Sequence, residues 1–126
     1  MSKADGELRL PAQSPFVAVL RMTTAGLAAR LDFTLDDIED LRIAVGEASA
    51  LLLEHASETS TLTTRFDLGE GRIGLSVGID QTTSESPEVD RDSFAWQVLQ
   101  ALVDDVRSDG ADHACTISFG ATSAKV

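Results

Sequence analysis

Apolar and polar residues alternate strictly along one stretch of the chain. Leu62, Thr64, Phe66 and Leu68 fall on one face, and Thr61, Thr63, Arg65 and Asp67 on the other. After Gly69-Glu70-Gly71 the alternation resumes, with Ile73, Leu75, Val77 and Ile79 set against Arg72, Gly74, Ser76 and Gly78. A period of two on both arms predicts an antiparallel hairpin with one buried face. The small residues on the second arm's outer face imply either a close neighbour or a thin, exposed surface. A shorter alternation over residues 7–10 predicts an edge strand, which Pro11 ends or confines to an edge. A last strand is expected over 114–119, where Cys115, Ile117 and Phe119 alternate.

Elsewhere the apolar spacing is three or four. Ser14-Pro15 reads as an N-cap followed by proline in the first turn, and Phe16, Leu20, Thr23, Leu27 and Leu31 share a helical face to about residue 32. Thr34 is the next N-cap, with Asp36 and Asp37 suited to the positive end of the helix dipole. Leu35, Ile38, Leu41, Val45, Ala48 and Leu52 form the stripe of a long helix reaching about residue 55. Residues 81–91, polar and containing Pro87, read as a loop. Asp92 or Ser93 caps a third helix, apolar around most of its circumference through Val106, with Gln97, Gln100, Asp104 and Arg107 as its polar stripe. Such a helix is expected to be buried on more than one side. Asp109-Gly110 reads as a turn. Three helices and about four mainly antiparallel strands predict a two-layer α/β sandwich, with residues 1–126 as one domain.

Composition narrows the function. The 126 residues are 43% hydrophobic, ordinary for a globular domain, and no apolar run approaches the roughly 18 residues of a membrane span. The first ten residues lack the apolar core of a secretion signal, and the one cysteine cannot form an intrachain disulfide, so a cytoplasmic protein is expected. A formal charge of −11 disfavours direct binding to nucleic acid and favours basic protein surfaces, besides keeping the protein soluble.

Few residues carry candidate chemistry. No serine sits in a nucleophile elbow, and Cys115 reads as a core residue. His55 and His113 are too far apart in sequence to suggest a zinc site, and no metal is expected. The long helix is more informative. Glu47, Leu51 and His55 follow one another at intervals of four and so share one side of it. The segment Glu47-Ala48-Ser49-Ala50-Leu51-Leu52-Leu53-Glu54-His55 resembles the Glu-Ala-x-x-Asn-Ala-x-x-His motif of RsbW-like anti-sigma factor kinases, which have the GHKL (Bergerat-type) ATPase fold. The opening strand and two helices over residues 8–52 resemble the same family. So does the Leu102-Val103-Asp104-Asp105-Val106 segment.

The resemblance implies a general base at Glu47 if the chain is an active kinase, an adenine-reading role for Asp80, and partner contact through Arg21. The chain departs from the motif where nucleotide chemistry is most demanding. Leu51 replaces the asparagine that holds magnesium, and leucine offers no oxygen ligand. Thr82 and Ser84 stand where a glycine pair should follow Asp80, and Phe94 and Trp96 occupy the second glycine-rich box. The loop is also short for a lid over ATP. Two functions follow. One is an anti-sigma factor that sequesters an alternative sigma factor, is released by an anti-anti-sigma partner, acts as a homodimer and has impaired ATP binding. The other is a serine/threonine kinase that phosphorylates its anti-anti-sigma factor with Mg-ATP. A stand-alone dimerisation module is a third possibility. Residue by residue, plainer roles remain open: turn chemistry for Asp80, a helix-end contact for His55, a solvated surface position for Arg21 or Glu47.

Overall fold

The computed structural model describes residues 4–124. The reading of the first ten residues as no secretion signal therefore lies partly outside the described residues, as do both ends of the expected 1–126 domain. The strands are β1 (Gly6–Pro11), β2 (Thr61–Gly69), β3 (Arg72–Ile79), β4 (Asp104–Ala111) and β5 (Ala114–Thr122). The helices are α1 (Val17–Arg30), entered through a 3-10 turn at Ser14–Phe16, α2 (Leu35–Leu53) and α3 (Phe94–Leu102). One antiparallel sheet runs in the order β1-β2-β3-β5-β4. The inward residues of β2, β3 and β5 form one apolar core with α1, α2 and α3. This is the expected two-layer sandwich, with five strands rather than about four.

The hairpin alternation is realised residue for residue. Leu62, Phe66, Ile73, Leu75, Val77 and Ile79 are buried, and Leu62 pairs with Ile79, Phe66 with Leu75. The small outer face has a cause at Gly78: a Cβ there would lie 3.1 Å from Thr116 Oγ1 on β5. The close neighbour is the adjacent strand of the same sheet.

The caps hold where a hydroxyl can accept an orphan N–H of the first turn. Thr34 accepts from Asp37 N at 3.1 Å and Ser93 from Trp96 N at 3.2 Å, which settles Ser93 over Asp92. Ser14 is not a cap, because Pro15 and Phe16 continue a 3-10 turn whose first residue is Ser14 itself. The buried stripe of α1 is Val17, Leu20, Thr24 and Ala28, one residue on from the expected Thr23. Burial of Thr24 is possible because its hydroxyl donates to Leu20 O at 2.9 Å.

The third helix departs most from expectation. It stops at Leu102, and only Trp96 and Leu99 of it are buried, while Phe94 is 78% exposed. Asp104 and Arg107 are strand residues, and Asp109-Gly110 lies inside β4 rather than in a turn. The chain instead turns at Asp112-His113, whose φ values of 53° and 59° suit a two-residue hairpin of the mirror-image type. Asp105, with φ of 54°, sits where the β4–β5 register slips between Asp104 and Arg107. As an edge strand β4 needs little apolar alternation, so its sequence gives little sign of it. No helix among the described residues is long and apolar enough to cross a membrane.

Candidate functional site

Helix α2 organises both candidate regions, because adjoining parts of its surface meet different neighbours. Towards α1 it leaves a shallow groove of about 300 Å³, lined by Arg21, Glu39, Arg42, Ile43, Gly46 and Glu47. The structure thus brings Arg21 and Glu47 together. Glu47 is half-buried, and neither it nor Arg21 makes an ion pair among the described residues. Arg42 pairs with Glu39 at 3.5 Å, one turn away on the same helix. Ile43, 41% exposed, is the apolar side chain in its lining, and Val19 and Met22 of α1 are exposed at 42% and 70%.

Towards α3 the helix meets a dry wall. Leu51 is 4% exposed and belongs to the same core cluster as Val89, Trp96 and Leu99. An oxygen-seeking magnesium ion finds no ligand in the Leu51 side chain, and the space beside it is filled with carbon. The residues at this position do not fit a magnesium–nucleotide site. Ser49 Oγ, two residues earlier, is buried without a partner among the described residues, which a helix serine can relieve by turning to its own backbone.

The loop leading to α3 is tied down. Thr82 N donates to His113 O at 3.0 Å, Thr83 N to His55 O at 3.0 Å, and His113 N to Glu85 O at 2.8 Å. His55 therefore serves this loop through its backbone carbonyl. Pro87 and Val89 are buried, and Gly110 is bare where the Pro87 carbonyl crosses β4. Arg91 bonds Ser108 Oγ at 3.0 Å and lies over the Trp96 ring at 5.7 Å. Thr82 is itself buried, its hydroxyl donating to Ser84 O at 2.6 Å.

Asp80 is elsewhere. It is exposed at the end of β3, and its Oδ1 accepts Thr61 N at 2.7 Å. It lines a hollow on the outer face of the sheet with Arg9, Thr63, Arg65, Ser76 and Thr116. Glu47 and Asp80 thus line different cavities. Cys115 is a buried core residue whose thiol is pushed up chiefly by burial, with a smaller contribution from the negative charge of Asp109. Among the described residues no group of three or more histidine, cysteine or acidic side chains could hold a metal ion.

No family model matches the chain. Individual relatives do. It is 42% identical over 89 residues to the serine-protein kinase RsbW of Halalkalibacterium halodurans, covering 70% of this chain and 52% of that protein. With the serine-protein kinase RsbW of Bacillus cereus it shares 40% identity over 73 residues, 56% of this chain and 46% of the relative. The chain is RsbW-like. The motif on α2 had implied this kinship. The RsbW-like chain spans about half the length of the relatives it matches. Its fold is also that of the crystal structure of the RsbU and RsbW domains of Rv1364c from Mycobacterium tuberculosis. That likeness has a TM-score of 0.70 and 17% identity, over 94% of this chain and 32% of the other.

Reading from sequence missed Gly46 and Ile43, which shape the groove around Arg21. The one signal available was a glycine in the middle of a long helix, where it is a poor helix former.

Proposed function

We propose that this RsbW-like chain is an anti-sigma factor that sequesters an alternative sigma factor and is released by an anti-anti-sigma partner, with impaired ATP binding. The observation that carries this reading is the burial of Leu51 in the core, in a chain whose sequence otherwise follows RsbW over 70% of its length. A regulator can hold its target by surface contact alone. A kinase needs magnesium, nucleotide and base in one place. The groove with Arg21 is the proposed contact surface, a homodimer is the proposed assembly, and the acidic charge assists approach to the basic surfaces of sigma.

The test is inhibition of transcription. Purified protein added to RNA polymerase carrying each alternative sigma factor of the source organism should block at least one of them. It should also co-purify with that factor. No inhibition and no co-purification across the whole set sinks the reading.

The names of the relatives favour a second reading: a serine/threonine kinase acting on the anti-anti-sigma factor, with Glu47 as base and Asp80 reading adenine. Calorimetric titration with Mg-ATP separates the two. Binding at micromolar nucleotide supports the kinase, and a flat titration supports the binding regulator.

A further inference from the structure

Helix α3 is apolar around most of its circumference, a composition that calls for neighbours on more than one side. The fold covers one side. Trp96 and Leu99 are buried, and Ala95 and Leu102 are half-buried against the same core. Phe94, Val98 and Ala101 follow at intervals of four and three, so they share the side turned away from Trp96 and Leu99. Phe94 is 78% exposed, Ala101 is exposed and Val98 is half-buried. An aromatic ring in water at the head of an apolar stripe marks an interaction surface.

The charges at both ends of the helix say what fits there. Asp90 and Asp92 precede α3, Asp104 and Asp105 follow it, and all four are exposed. None of them is in an ion pair among the described residues. Two arginines adjoin them in sequence. Arg91 is committed to Ser108 and the Trp96 ring. Arg107 alternates along β4 with Val106, which packs against the core, so it lies on the other face of the sheet. Helix α2, packed against α3, adds Glu47 and no cation between Arg42 and its end at Leu53, with Glu54 as its C-cap. The apolar stripe is therefore rimmed by negative charge. A second copy of this chain is a poor occupant, because α3 against α3 sets aspartates against aspartates whether the helices run parallel or antiparallel.

We infer that the Phe94–Val98–Ala101 side of α3 docks a basic amphipathic segment of a protein partner. Phe94 is the apolar anchor, and Asp92 and Asp104 meet lysines or arginines at the two ends of the segment. An amphipathic helix laid on an apolar stripe is a recurrent mode of peptide recognition, and charges at its rim set approach and register. No residue of α3 lines the groove at Arg21, and the inference does not rest on the proposed function.

The probe is a synthetic peptide of about 14 residues, with leucine on one helical face and lysine on the other, titrated into the full chain. Amide resonances of Phe94, Val98 and Ala101 should shift saturably, and the same peptide with glutamate in place of lysine should leave them unmoved. Phe94→Ala should weaken binding about tenfold or more while moving the thermal midpoint by less than about 3 °C. Asp92→Asn combined with Asp104→Asn should weaken it about threefold and flatten its dependence on salt. Shifts spread over the acidic surface without α3, or an affinity unchanged in Phe94→Ala, overturn the inference. So does self-association of the parent that Phe94→Ala abolishes, which would make a second copy the occupant. Equally, Phe94-dependent binding to phosphatidylglycerol vesicles without peptide binding would assign the stripe to a membrane. The transcription assay reads the proposed function and the peptide titration reads this surface, so each can fail alone.

Discussion

Helix α2 presents two faces that have met opposite fates. Towards α1 its surface is open: Arg21 and Glu47 share a groove without an ion pair among the described residues, and Ile43 stands exposed in it. Towards α3 the surface is closed: Leu51, Leu52, Val89, Trp96 and Leu99 are buried in one cluster, and the loop above them is fastened to the β4–β5 turn. The first face keeps polar groups ready to meet something else. The second has its contacts already satisfied within the chain. One helix can give part of its surface to the core while another part stays free for protein contact. Stability and recognition are then carried by different residues of the same element, and they can be perturbed separately.

The largest effect should come from the closed face. Trp96 is 4% exposed, and Arg91 stacks over it. Trp96→Ala should cost about 4 kcal/mol through lost burial and an unfilled cavity. Urea denaturation reads this directly, and a loss under about 1 kcal/mol would mean that the wall is not a packed core. Leu51→Asn is the sharper probe of the same wall, because it restores the residue type that the RsbW-like motif calls for. It should cost about 3 kcal/mol by burying an amide without assured partners. It should not create micromolar Mg-ATP binding, since Trp96 and Val89 still fill the space. If the variant binds nucleotide and loses no stability, the contrast between the two faces collapses.

On the open face the order of effects reverses. Arg21→Ala should leave the urea midpoint within about 0.5 kcal/mol of the parent, as for other surface positions without special partners. If the proposed sigma factor is captured, its affinity for this variant should fall by about 2 kcal/mol, roughly 30-fold. Equal stability and equal affinity would place the recognition surface elsewhere.

The legible and illegible parts of the chain divide along physical lines. The β2–β3 hairpin was readable because, within each arm, inward positions are large and apolar apart from Thr64 and outward ones polar or small, a period of two that runs from Leu62 to Leu68 and again from Ile73 to Ile79. Thr34 and Ser93 were readable as caps because a hydroxyl before a helix has one local task. Strand β4 was not. Val106, Ser108 and Gly110 face inward at an edge where half-burial suffices, and Gly110 is small because the Pro87 carbonyl crosses it. Asp109-Gly110 therefore imitates a turn for a reason that lies 23 residues upstream. The candidate site was legible in its residue types and not in their arrangement. Glu47, Leu51 and Asp80 could be picked out by the resemblance to the family's motifs, but their separation between a groove, a core wall and the outer sheet face depends on long-range packing. The groove's own shape depends on Gly46, whose role is visible only once α1 lies beside it.

The smallest effect belongs to neither face and serves as a control on both. Asp37, in the first turn of α2, accepts the backbone N–H of Ala124 at 2.8 Å, joining the C-terminal end of the described chain to the helix. That bond, helped by the hydrogen bonds with Thr34 and opposed by partial burial, holds its carboxyl below the usual 3.8. Its ionised form is thus favoured in the folded state, so its contribution is present above that ordinary value. It is lost as the pH falls through the lower folded value. Asp37→Asn should cost well under 1 kcal/mol at pH 7, because the carboxylate is largely solvated and its charge is screened. The gap to the parent should narrow as the pH falls through the lowered folded value, where the Asp37 carboxyl takes up a proton. Urea midpoints of the two proteins at pH 7 and pH 3 check this. A gap that persists at pH 3 would assign the effect to geometry at the helix start rather than to charge. Sigma binding should not change in this variant, because Asp37 lies outside both the groove and the Leu51 wall.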